Sequence, residues 1–282
     1  MLRKNFTKQL CLVLCVYSMC IYGQEVVFPW VVYYGSTASS KAFEPYNPIV
    51  LDSEAHPDLE PLLNMKKEVL GYVNVAEMVE MDPSFSTFKT KKLLIQKNPQ
   101  WPKTWSVDIR DPIWKALLLN TVIPKVVSQG FTGLFLDQLD VALELEELDS
   151  NKYEGMKQAA IDLVIAIKTK FPGKRIMMNR AYAILSDVGS FIDYELAETL
   201  YTIYDFNTKK CHIRAEDAFE WQLAKLNSAR SMFPHLTVFS LEYFDPKDTL
   251  VYDKIYKLER KMCIRPYISV PALDRIVREP AR

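Results

Sequence analysis

The chain has 282 residues, 49% of them hydrophobic and 25% charged, with Lys+Arg and Asp+Glu balanced at 35 each. This profile excludes a disordered or fibrous chain. It also lacks the basic excess expected of a nucleic-acid binder, although a local patch can hide inside a zero total.

The first residues differ from the rest. MLRKNFTKQ is basic, LCLVLCVYSMCIYG is apolar, and Gln24-Glu25 return to polar character. A basic start followed by a short apolar run describes a secretory signal over residues 1–23, leaving a mature domain over 24–282. The run is shorter than the roughly 20 residues of a membrane span, so no stable membrane insertion is expected after the signal is removed. An uncleaved anchor is the alternative. A lipid-modified Cys20 fits poorly after Tyr17-Ser18-Met19. The expected location is secreted, periplasmic or cell-surface. Three of the five cysteines fall in this segment, and Cys211 and Cys263 remain. Pairing and two free thiols both stay open, because two cysteines make no framework. Three histidines without ligand spacing argue against zinc.

From Val26 onward, short apolar runs alternate with amphipathic stretches. The first strands expected are VVFPWVVYYG (26–35) and PIVLD (48–52), then a helix at 57–67 and the strand EVLGYVNVAE (68–77). Met78 to Ser106, with Pro83, Trp101 and Trp105, is too long for a plain connection, and long loops usually carry function. A helix over 111–129 opens on Asp111-Pro112, an N-cap with proline in the first turn, and Pro124 should kink or divide it. GLFLD (133–137) is the fourth strand. Met156, Ala160, Leu163, Ile167 and Phe171 recur at helical spacing in 151–171, where FPG stops the helix. Then come strands RIMMN (175–179) and FIDYELAE (191–198), a helix at 215–233, the strand LTVFSLEY (236–243), a helix at 247–262, and RPYISV (265–270). Several strands are nearly continuous apolar runs, as strands covered on both faces are.

Eight strands alternating with helices indicate a barrel or a doubly wound open sheet. No G-x-G-x-x-G follows the first strand, and the length is close to the roughly 250 residues usual for a barrel. The expected fold class is α/β, a single (β/α)8 TIM barrel.

Chemistry in such barrels sits at the carboxyl ends of the strands. There the sequence places Tyr33 and Tyr34, Asp52, Asn74 and Glu77, Asp137 and Asp140, Asn179 and Arg180, Glu198, and Glu242 with Tyr243. Acids and aromatics converging on one rim, without His or Cys, point to glycoside hydrolysis, which uses two carboxyl groups. Any single acid is more simply a rim ion pair with Arg110, Arg180 or Arg265. Agreement across several strand ends is what favours a site. No G-x-S-x-G, HExxH or GxxxxGK[ST] is present. A metal-dependent hydrolase using Asp137, Asp140 and Glu77 with magnesium or calcium stays open, as does a barrel that binds carbohydrate without turnover. Trp101, Trp105 and Trp114 are candidate sugar platforms, with Trp114 better suited to the core because it sits on a helical stripe.

WVVYYG, VLGYVNVAE, W-x-V-D-I-R-D-P-x-W and GFTGLFLDQLD, in this order, resemble glycoside hydrolase family 114, the endo-α-1,4-polygalactosaminidases and their relatives. MMN at 177–179, Glu198-Thr199-Leu200, LEYF at 241–244 and SVPALD at 269–274 fit as well. The resemblance implies a secreted (β/α)8 barrel that cleaves amino-sugar polymers without a cofactor. It implies a catalytic Asp after strand four and a catalytic Glu after strand six, at Asp137 and Glu198. Glu198 is expected as general acid/base and Asp137 as nucleophile. Tyr34, Tyr72, Asn74, Glu77, Asp140, Asn179, Glu242 and Tyr243 are expected to bind a polysaccharide or oligosaccharide. For Tyr72 the simpler alternative is core packing. The chain departs from the family where LDQLD replaces LDNVD or LDTVD, and where Ala76 replaces the glycine of NVGE. Both departures leave the acids in place and bear on which sugar is bound.

Overall fold

The computed structural model describes residues 29–280; the expected signal at 1–23 lies outside them. Thirteen strands are present among the described residues. β1 (Val31–Tyr33), β2 (Ile49–Leu51), β3 (Val69–Asn74), β7 (Gly133–Asp137), β8 (Arg175–Asn179), β9 (Tyr194–Glu198), β12 (Thr237–Tyr243) and β13 (Arg265–Ser269) form one eight-stranded parallel sheet in that order. β4 (Glu77–Val79), β5 (Leu94–Lys97) and β6 (Thr104–Val107) form an antiparallel sheet of their own, and β10 (Thr202–Asp205) pairs with β11 (Lys210–Ile213) as a hairpin. All eight expected barrel strands are therefore present, and the sheet curls into a nearly closed barrel with the helices outside. No strand ladder joins β13 to β1 among the described residues. That seam is held by the Tyr34 N–H on the Leu273 carbonyl at 2.8 Å and by Trp30 Nε1 on the Arg265 carbonyl at 2.8 Å. Trp30 also packs edge-on against Phe239 and Tyr267, with ring centroids 5.1 and 5.8 Å apart.

The helices follow their local chemistry. Asp111 Oδ1 accepts the Ile113 N–H at 2.8 Å, capping Pro112–Leu117 with proline inside the first turn. Pro124 lacks an N–H, and the helix widens into a π turn at Leu118–Val122 before resuming at Ile123–Ser128. The expected stripe in 151–171 is borne out by the helix Met156–Lys170, which buries Met156, Ala160, Leu163 and Ile167.

Three elements were not foreseen. The long 78–106 connection carries strands β5 and β6 and most of β4. The hairpin β10–β11 fills the stretch after β9. The helix Leu139–Leu148 starts one residue past β7, entered through Gln138 in a left-handed conformation, φ 73°.

Candidate active site

Register decides which side chains meet. In β7, Phe135 and Asp137 share one face of the sheet while Leu134 and Leu136 take the other, because side chains alternate along a strand. The parallel ladders pair Asn74 with Asp137, Phe135 with Met177, Asn179 with Leu196 and Glu198 with Leu241. Following that parity around the barrel puts Tyr72, Asp137, Asn179, Glu198 and Tyr243 on the inner face. The chain turns sharply just beyond three of these strands: Gln138, Arg180 and Thr199 have φ of 73°, 58° and 56°. Left-handed backbone at non-glycine residues is uncommon and costs on the order of 1 kcal/mol, and it gathers where a site over-determines the geometry. Here it follows Asp137, Asn179 and Glu198 in turn.

One amide joins the two expected catalytic acids. Asn179 Nδ2 donates to Asp137 Oδ1 at 2.8 Å and to Glu198 Oε2 at 2.7 Å. Those two oxygens therefore lie no further apart than the two bonds laid end to end. Asp137 Oδ1 also accepts the Gln138 N–H at 2.9 Å, and the Tyr243 hydroxyl donates to Glu198 Oε1 at 2.6 Å. Asp137 Oδ2 has a 3.4 Å contact from the Gln138 amide, and the Tyr72 hydroxyl donates to the same carboxyl. The Asn179 Oδ1 atom is buried and has no hydrogen-bond partner.

Burial pushes the Asp137 carboxyl up to about 7, and the neighbouring Glu198 charge adds to it, against the pull of the Asn179 and Gln138 donors. The Asp137 carboxyl is therefore protonated in part near neutrality. Burial also raises Asp140, opposed by Arg180, whose Nε lies 3.3 Å from Asp140 Oδ2. Glu77 is raised by burial too, although it accepts from Asn98 Nδ2 at 2.9 Å. Burial, reinforced by the Asp137 and Glu198 charges, holds Tyr34, Tyr72 and Tyr243 well above the usual phenol range, so all three remain hydroxyl donors.

These groups open onto a cavity of about 560 Å³ lined by Glu77, Asp137, Asp140, Asn179, Glu198 and Tyr243 among others. Of the sequence-named residues, those six reach it. Tyr34 and Tyr72 do not line it: their rings meet edge-on at 5.5 Å, and Tyr72 is tilted against Phe135 at 6.0 Å. Two further assignments need correction. Asn74 does not line the cavity: its Oδ1 accepts the Ala76 and Glu77 N–H groups at 3.3 and 2.8 Å, holding the turn that presents Glu77. Glu242 does not contact the cavity either. It sits on the outer parity of β12, is 0% exposed, and accepts from Tyr201 N, Thr202 N and Thr202 Oγ1 at 2.9, 2.7 and 2.5 Å.

The tryptophans divide. Trp114 is core, 3% exposed, with Nε1 on the Val75 carbonyl at 2.8 Å. Trp105 pairs with Glu80 and lies under Lys97 outside the cavity. Trp101 lines the mouth and meets Phe206 of the β10–β11 turn edge-on at 6.0 Å. The hairpin contributes Ile203, Tyr204 and Phe206 to the wall, and Arg180 and Arg214 complete it. The signal for the hairpin was the alternation in TIYDFNTKKCHI around Asp205, which accepts the Asn207 N–H at 2.8 Å. Cys211 is a free thiol, so it does not pair with Cys263. Among the described residues no group of three or more His, Cys, Asp or Glu is gathered as a metal site would require. No described helix is long and apolar enough to cross a membrane.

With this geometry in view, comparison with known proteins gives a consistent picture. The profile of the family described as Glycoside-hydrolase family GH114 matches residues 25–281. Two curated relatives match in part. An uncharacterised protein of Methanocaldococcus jannaschii is 27% identical over 100 residues, 34% of this chain and 28% of its own. An uncharacterised protein of Deinococcus radiodurans is 36% identical over 47 residues, 17% of this chain and 15% of its own. This chain thus spans well under half the length of these relatives. Among solved structures, the glycoside hydrolase domain of PelA from Pseudomonas aeruginosa superposes with a TM-score of 0.76 at 19% identity, covering 88% of this chain and 96% of that one. Aspergillus fumigatus Ega3 in complex with galactosamine gives 0.65 at 15% identity, covering 90% and 95%. A GH18 chitinase from Pseudoalteromonas aurantia gives 0.53 at 12%, covering 86% and 93%. At these identities the superpositions establish the barrel fold.

Proposed function

This chain belongs to glycoside-hydrolase family GH114, and from that premise we propose that it cleaves an amino-sugar polysaccharide of the α-1,4-galactosaminide type with Asp137 and Glu198 as its catalytic pair. The observation that carries the reading is the single amide donor joining the two carboxylates. It supports the short class of carboxyl separation, roughly 5–5.5 Å in retaining glycosidases against roughly 6.5–9.5 Å in inverting ones.

In this reading one carboxyl of the pair protonates the leaving oxygen while the other attacks the anomeric carbon, and a water then releases the glycosyl group with the roles of acid and base exchanged. Asp137 is assigned as nucleophile and Glu198, which accepts the Tyr243 hydroxyl, as acid/base. Asp140 and Glu77 contribute further carboxylates to the wall. Coulomb attraction to them favours a cationic sugar, and the galactosamine bound to the structurally similar Ega3 is consistent with that class. Export to the cell surface or beyond belongs to the same proposal.

The test is release of reducing ends from deacetylated and from acetylated galactosaminogalactan. Activity concentrated on the deacetylated polymer is expected. No release from either, by a folded protein, would remove the substrate assignment. Azide rescue assigns the roles: a glycosyl azide of inverted configuration is expected from Asp137→Ala, and its appearance from Glu198→Ala instead would exchange them.

A further inference from the structure

A second hollow adjoins the cavity around the pair at Arg180. It measures about 310 Å³, shares Asp140, Glu144, Arg180 and Arg214 with that cavity and runs on to Tyr182 and Trp221. Its volume is at the lower end for ligand pockets, roughly 300–1,000 Å³. Trp221 stands on the helix Glu216–Met232 and keeps 56% of its surface exposed. A lone exposed aromatic needs no explanation, but this one lines a hollow that shares four wall residues with the catalytic cavity. Its edge is set by Tyr182, centroids 5.9 Å apart, and Tyr182 is itself anchored by its hydroxyl on Gln222 Oε1 at 2.9 Å. The Lys225 ammonium lies 5.6 Å from the indole centroid, so the ring already offers a face to a cation. Across the hollow Glu144 is 3.9 Å from Arg180, whereas Glu147 has no ion pair among the described residues.

We propose that this hollow is a distal subsite for a further amino-sugar ring of the polymer, packed on Trp221 with its ammonium toward Glu144 and Glu147. The inference rests on the glycosidase reading and deepens it.

The test is binding of α-1,4-linked galactosamine oligosaccharides to the Asp137→Asn protein by calorimetry, alongside turnover by the wild type. Adding Trp221→Ala is expected to weaken hexasaccharide binding about tenfold, and disaccharide binding by much less. Trp221→Phe should restore most of the loss. In the active enzyme, the ratio of kcat/KM for hexasaccharide over disaccharide should fall by a similar factor with Trp221→Ala. Equal losses for both lengths, or none for either, would overturn the subsite. Hexasaccharide binding that depends on Trp221 in a protein that cleaves no amino-sugar polymer would retain the subsite and reject the enzyme reading. Failure of the hexasaccharide to bind at all would remove both.

Discussion

Two pairs of buried carboxyls lie on opposite faces of the same strand wall. Asp137 and Glu198 face the barrel interior, tied by Asn179 and open to the cavity. Glu242 and Glu259 lie between β12 and the helix Thr249–Lys261, both fully buried, with the Ser240 hydroxyl donating to Glu259 and the Thr202 hydroxyl to Glu242. Asp137, Glu242 and Glu259 are shifted in the same direction by the same cause. Burial pushes Asp137 and Glu242 up to about 7 each, and Glu259 is raised well above the carboxylate range by burial and then by Glu242. A perturbed titration therefore does not separate a working pair from a structural one. What separates them is access. Asp137 and Glu198 line the cavity, while both oxygens of Glu242 are held by the segment after β9 and Glu259 is sealed beside it.

The largest expected effect lies on the open side. Asp137→Asn and Glu198→Gln should each lower kcat by about 10³-fold or more, because each removes half of a unit that acts together. Glu259→Gln, in the sealed pair, should leave kcat within about threefold in the same reducing-end assay. Loss of turnover in Glu259→Gln, with the fold intact, would break the comparison.

Next in size is Asn179→Ala, expected to cost about 10²-fold, on the order of 3 kcal/mol of transition-state stabilisation. It should also move the acid limb of the pH–rate profile upward, because the Asn179 donor holds the nucleophile Asp137 down and its removal lets the carboxyl rise. A limb that stays in place would mean that the amide does not bridge the working pair.

The sealed pair should appear in stability instead. Its folded-state pKa values lie above the ordinary carboxylate range, so its contribution is complete at acid pH and is lost as the pH rises toward and through about 7. At about 1.4 kcal/mol per pH unit this amounts to a few kcal/mol over the window. Denaturant titrations across roughly pH 4 to 8, the span from free to folded Glu242, should show that slope in the wild type and a shallower one in Glu259→Gln. Equal slopes would mean that the pair does not share a proton.

The smallest effect is at the turn after β7. Gln138→Gly relieves a left-handed non-glycine residue, φ 73°, at the expense of chain entropy. Thermal unfolding should shift by no more than about 1 kcal/mol equivalent in either direction. Turnover should fall as the Asp137 carboxylate loses its rigid mount.

The same comparison shows what the sequence could carry. The eight barrel strands were legible because each is a short apolar run covered on both faces. Asp137, Asn179 and Glu198 were legible because they end such runs. Glu242 was misplaced beside Tyr243, although alternation allows only one of two neighbours to face inward, and the register of β12 against β9 decides which. Asn74 ends β3 as Asp137 ends β7, but its side chain turns back onto the Ala76 and Glu77 amides, which no pattern announces. The helix Leu139–Leu148 was hidden by its charge, since LDVALELEEL buries Leu139, Ala142, Leu143 and Leu145 beneath four acids. The β10–β11 hairpin was hidden by exposure, because strands that pack on little carry a weak hydrophobic signal.

The most direct test of the account follows the anomeric configuration of the first sugar released from an α-1,4-linked galactosamine oligosaccharide by proton NMR, before mutarotation. Two carboxylates joined by one amide predict retention, with the α anomer appearing first. The β anomer appearing first would contradict the account, because inversion needs room for a water between the carboxyls that the Asn179 bridge does not leave.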